Sequence, residues 1–190
     1  MREATPAGMG PTTLGRGAMP DVTVTLAPPA GMISLRGDLA DAALRGAVAE
    51  VGGGVPDRLG IVGGLNRGAA WMSPDELLLF VPPGEVAPAL ARLSERLAGT
   101  HHLLADVSDL RAVIRLDGPA REVLGKLSPA DLHPDAFGPG VVRRSRLGQV
   151  AAAFWLEGQG AYVLCFRSMA DYLLALLRQS AADGPVGFHA

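Results

Sequence analysis

Three strand-length segments, at about 141–147, 150–156 and 161–167, follow one another with almost no chain between them. Their connections are Gly148-Gln149 and Glu157-Gly158-Gln159-Gly160. Links this short fold a strand back on its neighbour, because a parallel return needs a crossover of roughly a dozen residues or more. An antiparallel meander is therefore imposed on this stretch. Segment 111–117 has the same strand character, with Ala112, Ile114 and Leu116 on one face and Arg111, Val113 and Arg115 on the other.

The remainder of the chain supplies helices at regular intervals. Residues 32–35 read as a short strand. Asp38 is expected to cap a helix, with Asp41 three residues on. Leu39, Ala43, Ala47 and Val51 recur on one face of that helix, and Gly52-Gly53-Gly54 stops it. Residues 52–68 read as a glycine-rich loop. Strands are expected at 69–72 and 77–81, joined by Ser73-Pro74-Asp75. A helix over about 84–98 carries the stripe Val86, Leu90, Leu93 and Leu97 and closes at Gly99. Gly118-Pro119 opens another helix, which turns Val123, Leu124 and Leu127 inward. Ser168 and Asp171 have capping-box spacing before a last helix with the stripe Met169, Tyr172, Leu173, Leu176 and Leu177. Each half thus reads strand, helix, strand pair, helix. The expected fold is α+β: an antiparallel sheet with segregated helices, pseudo-duplicated and ferredoxin-like. Residues 1–30, with Pro6, Pro11, Pro20, Pro28 and Pro29 among Gly8, Gly10, Gly15 and Gly17, read as a flexible leader. Within it, 22–26 alternates as one extended strand or a segment that docks on a partner. Residues 31–182 form the expected single domain and 183–190 a tail.

Composition removes several function classes. Seventeen Lys+Arg against nineteen Asp+Glu give a net charge of −2, so no global field draws nucleic acid or an anionic membrane. Lys126 is the only lysine. One cysteine, Cys165, rules out an internal disulfide and any zinc site built on paired cysteines. Apolar runs such as 150–156 fall far short of the ~18–20 residues that span a bilayer, so a soluble, cytoplasmic protein is expected.

The catalytic inventory is thin. Gly125-Lys126 lacks the preceding glycine and following Ser or Thr of a phosphate loop, since Ala120 and Leu127 stand there. His101 and His102, adjacent on a strand, point to opposite faces. Asp131-Leu132-His133-Pro134-Asp135 contains ligand types but reads as a proline-fixed turn. Cys165 lies in the apolar strand Tyr162-Val163-Leu164-Cys165-Phe166, where a thiol packs rather than reacts. Ser108 and Asp109 lie near His101 and His102 in sequence, which is not triad geometry. Core packing accounts for Trp71 and Trp155. Arg143, Arg144 and Arg146 are the densest charge cluster and the candidate partner contact, with a solvated strand face as the plainer reading. On a strand, Arg144 and Arg146 share a face and Arg143 takes the other. No catalytic, cofactor-binding or metal-binding residue is assigned.

Segments 105–109, 113–120 and 124–134 (Ala105-Asp106-Val107-Ser108-Asp109, Val113-Ile114-Arg115-Leu116-Asp117-Gly118-Pro119-Ala120 and Leu124-Gly125-Lys126-Leu127-Ser128-Pro129-Ala130-Asp131-Leu132-His133-Pro134) resemble the gamma-subunit family of heterotetrameric bacterial sarcosine oxidase. So do 32–39, 73–79 and 167–173, and the likeness runs in order over about 32–180. The Asp-Val-Ser and Gly-Pro framework is also similar, more distantly, to the folate-binding aminomethyltransferases. A folate-domain-like fold is implied. That class carries acidic residues shortly after the glycine matching Gly148, and His after Asp-Val-Ser. Here the positions are Val150-Ala151-Ala152-Ala153 and Asp109. The resemblance implies a non-catalytic gamma subunit without a cofactor, packed against alpha, beta and delta subunits. Those partners would carry FAD, FMN, NAD, tetrahydrofolate and zinc. The complex would convert sarcosine to glycine, hydrogen peroxide and methylenetetrahydrofolate. A stand-alone tetrahydrofolate-binding protein is the alternative.

Overall fold

The computed structural model describes residues 21–184. The elements in chain order are β1 (Thr23–Leu26), β2 (Gly31–Gly37), α1 (Ala42–Gly52), β3 (Ile61–Gly64), β4 (Arg67–Ser73), β5 (Glu76–Val81), α2 (Val86–Arg96), β6 (His102–Asp106), β7 (Arg111–Asp117), α3 (Ala120–Gly125), β8 (Val142–Leu147), β9 (Val150–Glu157), β10 (Gly160–Phe166) and α4 (Ala170–Ala182). Short 3-10 turns precede α2 and α4. The antiparallel α+β architecture read from the sequence is built as two five-stranded sheets, ordered β1-β7-β10-β9-β8 and β3-β4-β5-β2-β6.

The duplication runs deeper than the sequence pattern. Each half contains a strand, a helix, a three-strand meander and a second helix. The first strand of each half, β2 or β7, pairs with the last strand of its meander. Its other edge is covered by β6 in the first half and by β1 in the second. Thus β1, from the segment assigned to the leader, supplies the edge that chain order leaves open, pairing Thr23 with Asp117 through Leu26 with Ile114. The rest of the expected leader, residues 1–20, and residues 185–190 of the tail lie outside the described residues. In the first half the third meander strand is β3, within the stretch read as loop. Its hairpin needs glycine: Gly63 has φ 69°, and a Cβ there would lie 2.2 Å from the Arg67 carbonyl oxygen. Glycines that permit the turn thus conceal the strand from a propensity reading.

The layers run helix, sheet, sheet, helix. Helices α1 and α2 cover one sheet through Leu44, Val48, Val51, Ala89, Leu93 and Leu97, against Ile33, Leu35, Leu77 and Leu79. Helices α3 and α4 cover the other through Val123, Leu124, Leu173 and Leu177, against Ile114, Leu116, Phe154 and Val163. Between the sheets lies a third core of Met32, Met72, Leu78, Phe80, Val113, Ala153, Trp155 and Leu164. Trp155 is its centre, with ring centroids 5.7 Å from Phe80 and 5.6 Å from Tyr162. Strands buried on both faces explain the unbroken apolar runs Leu77-Leu78-Leu79-Phe80-Val81 and Ala152-Ala153-Phe154-Trp155-Leu156. Trp71 packs half-buried at the helix side instead.

Two expected caps move. Asp41 is the N-cap of α1, accepting from the Ala43 and Leu44 amides at 2.8 and 2.9 Å. Asp38 accepts from the Ala40 amide within the preceding turn. The buried face of α1 accordingly uses Leu44 and Val48, while Ala43 is exposed. No side chain caps α4, whose N-cap is Met169. The 3-10 turn ahead of it leaves Met169 and Tyr172 exposed, and Ala170, Leu173, Leu177 and Ser180 face inward. At the other end of α4, the Lys126 ammonium donates to the Ser180 and Gly184 carbonyls, so the lone lysine satisfies terminal acceptors of that helix.

Replacing Trp155 by Ala empties the middle of the inter-sheet core and should cost about 3–5 kcal/mol of unfolding free energy in urea titration. Leu103→Ala, on a side chain 53% exposed, should stay within about 0.5 kcal/mol of the parent.

Candidate functional site

The three clustered arginines divide as strand alternation requires. Arg143 turns toward the α3 and α4 side. There it donates to the Ala136 carbonyl and lies over the Phe137 ring, 5.5 Å from its centroid. Arg121 holds the same ring from 5.6 Å and donates to the Leu132 and Phe137 carbonyls. Phe137 is fully buried and meets Phe154 edge-on at 5.6 Å. Two guanidinium groups thus pin the 129–137 loop, and Arg143 is committed to that loop. Arg143 thus takes the face opposite Arg144 and Arg146, as the two-residue period of a strand requires.

Arg144 and Arg146 point the other way, into an opening at one end of the inter-sheet space. This slot, about 430 Å³, is lined by Arg111, Arg144, Arg146, Met72, Ala151 and Ala153, with Leu164 and Phe166 behind them. Its rows follow from register. Arg144 pairs with Ala153, which pairs with Leu164; Arg146 pairs with Ala151, and Arg111 with Phe166. Alanine at 151 and 153 leaves the volume that larger side chains would fill. Arg144 donates to the Met72 carbonyl across the gap, tying the two sheets at the rim.

Arg111 is the site residue that sequence reasoning passed over, placing it only on one face of an alternating strand with Val113 and Arg115. Its guanidinium lies 5.3 Å from the Phe166 ring centroid, and its buried Nε has no hydrogen-bond partner among the described residues. A buried donor left unsatisfied costs roughly 1–3 kcal/mol. Burial holds the Arg111 guanidinium below its ordinary basicity, Arg144 adds repulsion and Glu76 opposes both. Glu76 itself is taken by Ser34 at 3.1 Å and Arg36 at 3.5 Å. The slot is therefore cationic, with three guanidinium groups and no carboxylate in its lining. Ala151, Ala152 and Ala153 stand in the lining where the aminomethyltransferase resemblance calls for acidic groups.

Other reactive side chains hold structure. Ser108 Oγ accepts from the Met32 amide at 2.9 Å, and Asp106 Oδ1 accepts from the Ser108 hydroxyl and amide at 2.6 and 3.0 Å. The Asp-Val-Ser segment is thus a clamp where the chain passes from one sheet to the other. Asp131 Oδ1 accepts from the His133 amide, and His133 Nδ1 lies 3.5 Å from Asp135, the geometry of a turn. Among the described residues, no group of three or more His, Cys, Asp or Glu is arranged to hold a metal. His102 Nδ1 sits 2.8 Å from the Thr100 carbonyl. Cys165 is 1% exposed in the core under α3 and α4, and burial pushes its thiol up, partly offset by Arg111 and Arg167. No helix in the described residues is long and apolar enough to cross a membrane.

A pair of stacked antiparallel sheets with helices outside is an α+β fold shared with a known enzyme structure. The chain superposes on glycine cleavage system aminomethyltransferase T from Bartonella henselae with a TM-score of 0.60 over 84% of its length and 46% of that chain. At 15% identity this likeness concerns the fold alone. The family is narrower: residues 36–183 match the sarcosine oxidase, gamma subunit family, and the chain belongs to it. It is 36% identical over 142 residues to the sarcosine oxidase subunit gamma of Corynebacterium sp. (strain P-1), covering 72% of this chain and 69% of that one. The subunit gamma from Arthrobacter sp. is likewise 36% identical, over 145 residues, covering 74% and 69%. Among solved structures, a chain of the heterotetrameric sarcosine oxidase from Corynebacterium sp. U-96, in complex with pyrrole 2-carboxylate, matches with a TM-score of 0.76 and 27% identity over 85% of this chain and 84% of that one.

Arg143→Ala should lower stability by about 1–3 kcal/mol, since it frees the 129–137 loop and the Phe137 ring. Arg146→Ala should lie within about 0.5 kcal/mol of the parent in the same urea titration. A thiol whose folded value is raised gives stability that is complete below the ordinary thiol range and lost as pH climbs through it. The parent should therefore lose stability more steeply than Cys165→Ala as pH climbs above the ordinary thiol range, read from urea midpoints at each pH.

Proposed function

We propose that this chain is the non-catalytic gamma subunit of a heterotetrameric sarcosine oxidase, contributing shape and contact surface while other subunits carry the chemistry. The carrying observation is family membership over residues 36–183, joined to a fold in which Ser108, Asp106, Asp131, His133 and Cys165 serve a clamp, a turn and the core. Alpha, beta and delta subunits are the proposed partners. In this reading they hold NAD, tetrahydrofolate, FAD, FMN and zinc, and the assembled enzyme demethylates sarcosine to glycine with formation of hydrogen peroxide and methylenetetrahydrofolate. A bacterial, cytoplasmic setting belongs to the same reading. Arg144 and Arg146 serve as partner contacts, because exposed arginines beside exposed aromatic and Met side chains have the composition of an interface.

Co-expression with the oxidase subunits encoded beside this gene should return the chain in a stoichiometric complex that forms peroxide from sarcosine. The isolated chain should form none and should not bind millimolar tetrahydrofolate in calorimetry. Recovery only as a free monomer that binds tetrahydrofolate would establish the stand-alone alternative instead.

A further inference from the structure

Phe166, at the end of β10, lines the slot and is also exposed, so the slot opens at the surface where β10 ends and β7 begins. The Arg167 amide donates to the Leu110 carbonyl at 2.9 Å, and its side chain donates to the Asp109 and Arg111 carbonyls at 2.8 Å each. These bonds hold the start of β7 against the end of β10. Four large apolar side chains are exposed around that junction: Leu110 at 49%, Phe166 at 44%, Met169 at 36% and Tyr172 at 53%. Phe166 belongs to both features, since it also lines the slot and lies under the Arg111 guanidinium. An exposed aromatic-and-Met ridge beside arginines is the composition of a protein interface core, whereas single exposed apolar residues need no explanation.

Charge says what the partner brings. Three guanidinium groups converge on the slot, none faces a carboxylate in its lining, and Arg111 Nε lacks a partner among the described residues. Two of this chain's carboxylates stand close by but are engaged, Glu76 by Ser34 and Arg36 and Asp75 by Arg36 and Ser73. A guanidinium fork recognises a planar carboxylate by paired N–H···O bonds, and an apolar wall beside it strengthens that attraction by excluding water. The exposed ridge favours a protein over a small molecule, because a ligand filling the slot would leave Met169 and Tyr172 uncovered. We propose that the slot formed by Arg111, Arg144 and Arg146 is a socket for an Asp or Glu side chain of a partner subunit, with Leu110, Phe166, Met169 and Tyr172 as the apolar part of the same contact. This rests on the subunit reading above and adds which face is used and which side chain enters it.

The lone lysine makes a direct test available. In the co-expressed complex, Arg146→Lys keeps the charge and adds an amine that a carbodiimide couples to a contacting carboxylate. Lys126 supplies little background, because its ammonium is engaged by the Ser180 and Gly184 carbonyls. A new cross-link from Lys at 146 to an Asp or Glu of a partner subunit, found by peptide mass spectrometry and absent from the parent, is the expected result. Arg111→Met, which keeps the bulk over Phe166, and Arg144→Ala with Arg146→Ala should each weaken assembly by at least about 30-fold, as truncating one member of an interfacial charge pair does. Urea midpoints of the free variants check that each still folds. Folded variants that assemble like the parent, with no cross-link at 146, overturn the socket while leaving the subunit reading intact. Failure of the parent chain itself to assemble overturns both. Saturable binding of free acetate or benzoate to the parent, lost in Arg111→Met with assembly unchanged, overturns the proposal by assigning the slot to a small carboxylate.

Discussion

Burying both faces of each sheet is the constraint on which this structure depends. Sheets packed face to face must fill the space between them, and each outer face then needs its own helices. Trp155, Phe80 and Met32 supply the inner volume, while the helix stripes around Leu44, Leu93, Val123 and Leu173 close the outside. Neither half could be stable alone in this form, since each exposes its inner face without the other. The Ser108 clamp on Met32 and the hydrogen bond from the Val142 amide to the Leu59 carbonyl at 2.7 Å fix how the halves meet. The slot is where that closure is incomplete: two alanines face Met72 across the gap, and arginines stand at the rim.

What was legible in the sequence was whatever depends on neighbours along the chain. The hairpins between β8, β9 and β10 were fixed by connections of a few residues, and β7 by its alternation. The split between Arg143 and its two neighbours followed from the two-residue period of a strand. The glycines of the β3–β4 hairpin hid β3, because they answer a close backbone approach at Gly63 and Gly68 that no propensity scale registers. The choice of Asp41 over Asp38 as a cap was equally invisible, since both sit at plausible spacing and only the turn's path decides. Met169 and Tyr172 read as core from their apolarity, yet the 3-10 turn rotates them outward.

The slot itself was half legible. Its two β8 arginines stood out as a local cluster, but Arg111 enters from a strand that β10 and β9 separate from β8 in the sheet. No sequence window relates position 111 to 144. The signal that could have found it was the pattern of small residues at 151 and 153, which marks a place where something other than this chain's own side chains fills the space. A small residue at the buried position 153 is costly in packing, and burial of the Arg111 guanidinium beside it is costly in solvation. Their coincidence in one slot is harder to explain as scaffold than either alone.

That cost has a direction. In the free chain, Arg111 Nε keeps no partner among the described residues and the exposed apolar side chains keep their area in water. Both penalties vanish if a complementary surface covers them, so assembly stabilises the folded chain by mass action as well as joining it to its neighbours. A side chain that enters the slot also meets both sheets at once, through Met72 on one and Arg111, Arg144 and Ala153 on the other. Occupancy would then brace the least complete part of the inter-sheet core, where Arg144 already spans the gap to the Met72 carbonyl. A fold that serves as a contact element gains from placing its docking point at such a seam: the same contact that holds the partner also finishes the packing of the subunit.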